Sequence, residues 1–320
     1  MHELQKHEDT ESPSLRPDRI QAFLHLLLGV LFFMGTLLIC GALAIFCCSL
    51  MNYGEFRGFG QVTELLEDLK EQAIFLNIFV FLSSTLPLIL AAFLTMRFVQ
   101  ANSREYLLLY LPQQWNWFFW SILFVAVSIP LMGLMLEINN LIDFSQWEEM
   151  NQWLLQKEAD NNQMYESLIG DRSPISLFMS LLFMALLPAI AEEIFFRGFL
   201  MNILNGIFKN MHLAILATAF IFSAMHLQFM KFLPMFFLAC VFGYATYWSG
   251  SLLTSIVAHF INNAFAVIQL FYFSDGEYEK SLEQSQSFGP VTNFVLVVAV
   301  LALFIFIHRS STNKTPRFYV

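Results

Sequence analysis

Charge is what this sequence has least of. Asp, Glu, Lys and Arg make up 13% of 320 residues, about half of the ~25% usual in a soluble domain. That scarcity excludes a water-soluble globule. A basic stripe and any zinc-finger spacing are also missing, and the formal net charge is -9, so no nucleic-acid partner is expected. Cysteine is sparse too: Cys40, Cys47, Cys48 and Cys240 all fall in apolar segments with no CxxC pair, and read as small hydrophobes rather than a disulfide framework or metal site. Behind the polar stretch MHELQKHEDTESPSLRPDR no small-residue cleavage site follows, so the first apolar run reads as a retained span.

What is abundant is hydrophobicity, at 57% of residues, with 37 Phe. A membrane-crossing helix needs about 20 apolar residues. Eight segments qualify, at 21–50, 73–97, 115–137, 175–205, 211–229, 231–248, 251–272 and 290–308. The expected fold is therefore an all-α polytopic membrane bundle of about eight transmembrane helices. With the N-terminus inside, ten Lys and Arg fall on the inner side and six on the outer, which predicts that both termini are cytoplasmic. The long loop 138–174 carries Trp147, Met150, Trp153 and Leu154 at helical spacing, which predicts a surface-lying amphipathic helix that could guard a substrate entrance. SREYLLLYLPQQW before the third span reads as an interfacial anchor.

Ionisable groups inside spans are costly and point to function. Here they are few: Glu192, Glu193 and Arg197 in the fourth span, His226 in the fifth, and His259 with Asn262 and Asn263 in the seventh. Helix rise puts Glu192 about 20 Å, His226 about 22 Å and His259 about 12 Å from the same membrane side, so three spans bring polar groups to overlapping depths. Glu193 and Arg197, at i and i+4, share a helix face and suit an ion pair that makes the acid tolerable in lipid. Glu192 is then the freer acid, suited to take and return a proton. His259 and Asn263, also at i and i+4, put two hydrogen-bond donors on one face, as a developing oxyanion requires; Asn262 at i+3 is an alternative partner. Pro188, four residues before Glu192, is expected to kink the fourth span.

EEIFFR (192–197), FSAMH (222–226) and HFINN (259–263) resemble, in order, the motifs EExxxR, FxxxH and HxxxN of the CPBP family. These are the CAAX prenyl protease and bacteriocin-processing intramembrane endopeptidases, also called the type II CAAX protease or Abi family. The resemblance covers about residues 170–275 and implies hydrolysis of a peptide bond in a membrane-anchored or prenylated substrate within the bilayer. It implies Glu192 and His226 as the pair that activates water, and His259 and Asn263 as the oxyanion site. Glu193, Arg197 and Phe222 are the supporting positions, and the motif spacing selects Asn263 over Asn262. The chain then divides into a polar tail (1–19), an N-terminal three-span region (20–169), a catalytic core (170–275) and a last span with tail (276–320). No cofactor is required on this reading. Zinc held by Glu192, His226 and His259 is the alternative, although Asn is a weak zinc ligand and HExxH is absent. An ion-coupled transporter would also keep such groups in its spans, but no internal repeat supports it; a non-catalytic immunity or scaffold protein of the same fold is the remaining alternative.

Overall fold

The computed structural model describes residues 18–99, 106–112, 114–142, 146–273 and 290–311. Its elements are helical: α1 (Arg19–Tyr53), α2 (Val62–Lys70), α3 (Ala73–Phe98), α4 (Asn116–Asn140), α5 (Glu148–Ile169), α6 (Pro174–Phe208), α7 (Met211–Met225), α8 (Phe232–Ser249), α9 (Leu252–Tyr272) and α10 (Pro290–Ser311). All eight expected segments are helices in an all-α polytopic bundle. Five, namely α1, α3, α6, Phe229–Ser249 and α9, are long and apolar enough to cross a membrane, and bent α4 makes a sixth. The segment in α10 that passes on composition is shorter, and α7 has 15 residues, about 22 Å of rise against a hydrocarbon layer of about 30 Å. The fifth segment stops at Met225, rather than reaching 229 as its apolar pattern suggests.

Three spans contain a proline beyond their first turn, and the chain accommodates them differently. A proline lacks the N–H that would bond four residues back and crowds that carbonyl. In α3 and α6 a wide, π-helical turn precedes it, Phe81–Thr85 before Pro87 and Leu181–Leu186 before Pro188. The wide turn makes room, so Pro188 leaves α6 one continuous helix instead of breaking it before Glu192. In α4 no such turn precedes residue 130, a proline, and the helix bends there by 43°.

α6 is the central strut. Its second π-helical stretch, Glu193–Leu200, is buried throughout and is surrounded by α3, α7, α8 and α9. α1 packs on α3 and on the end of α6, while α4 packs on α8, α9 and α10. Around α6 the core is built of Met96, Phe196, Phe199 and Phe222; a second cluster joins Phe124, Phe242, Trp248 and Val300 of α4, α8 and α10. Outward, α1 exposes Phe23, Leu27, Leu31 and Leu38, as a lipid-facing helix does. α8 approaches α7 closely at Gly243, where a Cβ would meet Ile215 at 2.8 Å.

Of the segment read as an interfacial anchor, residues 103–105 and 113 lie outside the described residues and Trp115 is exposed, but its middle is in the core. Tyr106, Leu107 and Leu108 are buried. Asn202 Nδ2 donates to the Tyr106 carbonyl at 2.8 Å, the Leu252 N–H to that of Leu108 at 3.1 Å, and the Ser251 hydroxyl to that of Tyr110 at 2.5 Å. Residues 106–110 thereby join the end of α6 to the start of α9.

The amphipathic helix expected in loop 138–174 is α5, whose inward residues are Leu154, Leu168 and Ile169; Trp147, Met150 and Trp153 stay exposed. α5 lies across α3 and α9 and against the turn between α7 and α8. It ends at Gly170, which has φ +71 and where a Cβ would sit 2.6 Å from that of Ala73, so both backbone sign and space demand glycine.

Candidate functional site

A buried charged cluster forms where the π-helical stretch of α6 meets α7, α8 and α9. Glu193 and Arg197 are 0% and 1% exposed, and the Arg197 Nη1 donates to Glu193 Oε1 at 2.8 Å. Burying such a pair costs several kcal/mol per ion unless other partners complete it. Several partners are present, although Glu193 Oε2 is buried without a hydrogen bond. Arg197 Nη2 donates to the Ala239 carbonyl at 2.9 Å, and the guanidinium carbon lies 4.9 Å and 5.4 Å from the ring centroids of Phe222 and Phe242, within cation–π range. The intrahelical pair expected from the i, i+4 spacing is therefore tied to α7 and α8 as well.

Glu193 Oε1 has a second contact, His259 Nδ1 at 2.8 Å. An ionised carboxylate only accepts, so Nδ1 carries the hydrogen, and the chemistry of His259 is left to Nε2. The ring is stacked on Phe242, centroids 4.5 Å apart and planes 19° apart, which fixes where Nε2 points. It faces Glu192, at 3.6 Å from Oε2, close enough for charge attraction but too long for a direct hydrogen bond. Glu192 is 18% exposed where its neighbour is sealed. The adjacent acids thus differ in exposure, and His259 contacts the one and faces the other.

His226 stands one residue beyond α7. Its Nδ1 is 2.8 Å from the Phe222 carbonyl; a carbonyl cannot donate, so Nδ1–H donates to it, and in the neutral ring the lone pair sits on Nε2. The Phe222 ring touches both histidines, its centroid 4.5 Å from that of His226 and 6.2 Å from that of His259. Among the described residues Glu192 makes no direct hydrogen bond or ion pair with His226, the residue that the resemblance pairs with it; its ionic neighbour is His259. On α9, Asn262 donates to the Asn263 Oδ1 at 3.3 Å. This leaves the Asn263 N–H donors on the helix that carries His259, both amides being half-buried.

The set proposed for zinc does not gather. Among the described residues no group of three or more His, Cys, Asp or Glu side chains is arranged to hold a metal ion, and His259 Nδ1 is engaged by Glu193.

Two contributors had no signal in the sequence. Phe242, which both stacks on His259 and faces Arg197, is one of 37 phenylalanines. Asn139, at the end of α4, binds the turn that follows His226. It stands in the run EINN, where a span gives way to a loop.

Residues 174–265, less than a third of the chain, match the type II CAAX prenyl endopeptidase Rce1-like family. That match supports the CAAX-protease resemblance and an intramembrane protease in general. With the apolar helices it also supports an integral membrane protein. No curated protein and no solved structure matches the chain.

Proposed function

We propose that this chain is an intramembrane endopeptidase that hydrolyses a membrane-anchored or prenylated peptide with a water activated by Glu192, without a metal. The observation that carries this reading is the contrast between adjacent acids: Glu193 is sealed into an ion pair, while Glu192 retains access to solvent beside His259.

In this reading Glu192 takes a proton from a water positioned with His226, whose Nε2 is its open nitrogen. The hydroxide attacks the scissile carbonyl carbon, and the carbonyl electrons move to oxygen. Asn263 Nδ2 and His259 Nε2 meet that oxyanion. Because the His259 Nδ1–H is held by Glu193, Nε2 donates only when the ring is protonated; the buried carboxylate behind the ring favours that form as negative charge develops in front of it. Glu192 then returns its proton to the amide nitrogen, and the C–N bond breaks.

The test is cleavage of a panel of prenylated and unprenylated membrane-anchored peptides by the purified full-length protein in detergent. Glu192→Gln should lower the rate by about a hundredfold or more, and a strong chelator should leave the wild-type rate unchanged. Cleavage of no peptide in the panel, or undiminished cleavage by the Gln variant, would refute the proposal. Loss of activity on chelation with recovery on zinc add-back would refute its metal-free part.

A further inference from the structure

His226 is held by less than its counterpart. It terminates a helix of 15 residues, its one ring hydrogen bond goes back to that helix, and the next residue, Leu227, has φ +53. A branched side chain in the left-handed region is strained and persists only where the surroundings over-determine it. What fixes the turn is therefore part of what fixes the histidine.

We infer that Asn139 of α4 is the positioning residue for His226. Asn139 is 3% exposed, and its carboxamide is spent on this turn. Nδ2 donates to the carbonyls of Phe229 and Met230, at 3.1 and 3.0 Å, and Oδ1 accepts from the Leu233 N–H at 3.1 Å. One side chain thus holds the turn Phe229–Lys231 and the first residues of α8 together. Further holds on the turn come from α5: Gln228 Nε2 donates to the Tyr165 hydroxyl at 2.8 Å, and Lys231 pairs with Glu158. Those groups are partly exposed, where water can stand in for a lost partner, whereas Asn139 is buried.

The location of Asn139 matters as much as its bonds. α4 packs along both α8 and α9, so the residue that sets the His226 turn stands on a helix that also backs His259. Asn139 relates one histidine to the other, and it lies outside residues 174–265. That it serves catalysis rests on the proposed role of His226; that it places the ring does not.

The experiment uses full-length protein in detergent with ¹³C-labelled histidine, the His226 and His259 Cε1–H signals being assigned by single substitutions. Asn139→Leu, which removes all three hydrogen bonds, should move the His226 signal and leave that of His259 in place. It should also lower kcat on a cleaved membrane-anchored peptide by about tenfold or more, with KM changed by less than about twofold. Asn139→Ala removes the same three bonds with a smaller side chain, and it carries the same reading if the Leu variant does not fold. An unmoved His226 signal, or equal movement of both histidine signals, overturns the inference whatever the rate does. Should the wild type cut no peptide, the protease reading falls, and the two signals still decide whether Asn139 positions His226.

Discussion

His259 sits in the middle of α9, its Nδ1 bonded to a carboxylate that water does not reach and its ring laid flat on Phe242. His226 sits just past the end of α7, half-buried, with its Nδ1 bonded to its own helix and a strained leucine behind it. The first is fixed by an ion network internal to the region that matches the protease family. The second is fixed by a turn whose supports, Asn139 and α5, lie outside that region. The inner half of the site is thus a matter of charge compensation, and the outer half a matter of backbone placement. Substitutions should separate the two, with stability failing first in one and geometry in the other.

The largest expected effect comes from breaking the inner half. Arg197→Met leaves Glu193 buried without its cation, and unfolding in detergent should show a loss of about 3–5 kcal/mol. A loss under about 1 kcal/mol would mean that the pair is not what holds these helices together. In the outer half, Lys231→Ala removes the pair with Glu158, whose side chains are 36% and 21% exposed. Solvent screening limits its contribution to about 1 kcal/mol or less, and a Gln228–Tyr165 bond remains, so the midpoint should move little. A large shift would place more of the outer support on α5 than on Asn139.

The smallest effect lies where α5 turns into α6. There Asp171, outside the spans, accepts hydrogen bonds from the Ser176 hydroxyl and the Ser173 N–H. The Ser176 hydroxyl, followed by Ser173, holds its carboxyl below the ordinary carboxylate value. A carboxyl lowered on folding stabilises above its unfolded pKa and loses that contribution as pH falls through its folded value. Asp171→Asn should therefore lower the midpoint slightly at neutral pH, and the difference from wild type should close in acid. A difference that persisted in acid would trace to the lost geometry, not to the charge.

How far the sequence predicts these features depends on whether a feature is local. The helices followed from apolar length, and the Glu193–Arg197 pair from spacing on one helix. α5 followed from its apolar periodicity, but which of its apolar residues turn inward depends on neighbours distant in sequence, and only Leu154 of the expected four is buried. The end of α7 was hidden because LQFMKF continues the apolar pattern past it, although the turn is enforced by Asn139 from a preceding span. Burial of Leu107 and Leu108 was hidden in the same way: REYLLLYL reads as interfacial until Asn202, Ser251 and Leu252 are seen to bond its carbonyls. That Glu192 lies beside His259 rather than bonding to His226 depends on how α6, α7 and α9 pack together.

The central claim is that adjacent glutamates divide the work, Glu193 holding the bundle and Glu192 acting on the substrate. The direct test measures cleavage and thermal unfolding together for Glu192→Gln and Glu193→Gln. The account predicts that Glu192→Gln folds with a midpoint close to wild type and loses cleavage by about a hundredfold or more, while Glu193→Gln loses stability by a few kcal/mol because Arg197 is left buried without its anion. A Glu192→Gln variant that cuts normally, or a Glu193→Gln variant as stable as wild type, would contradict it.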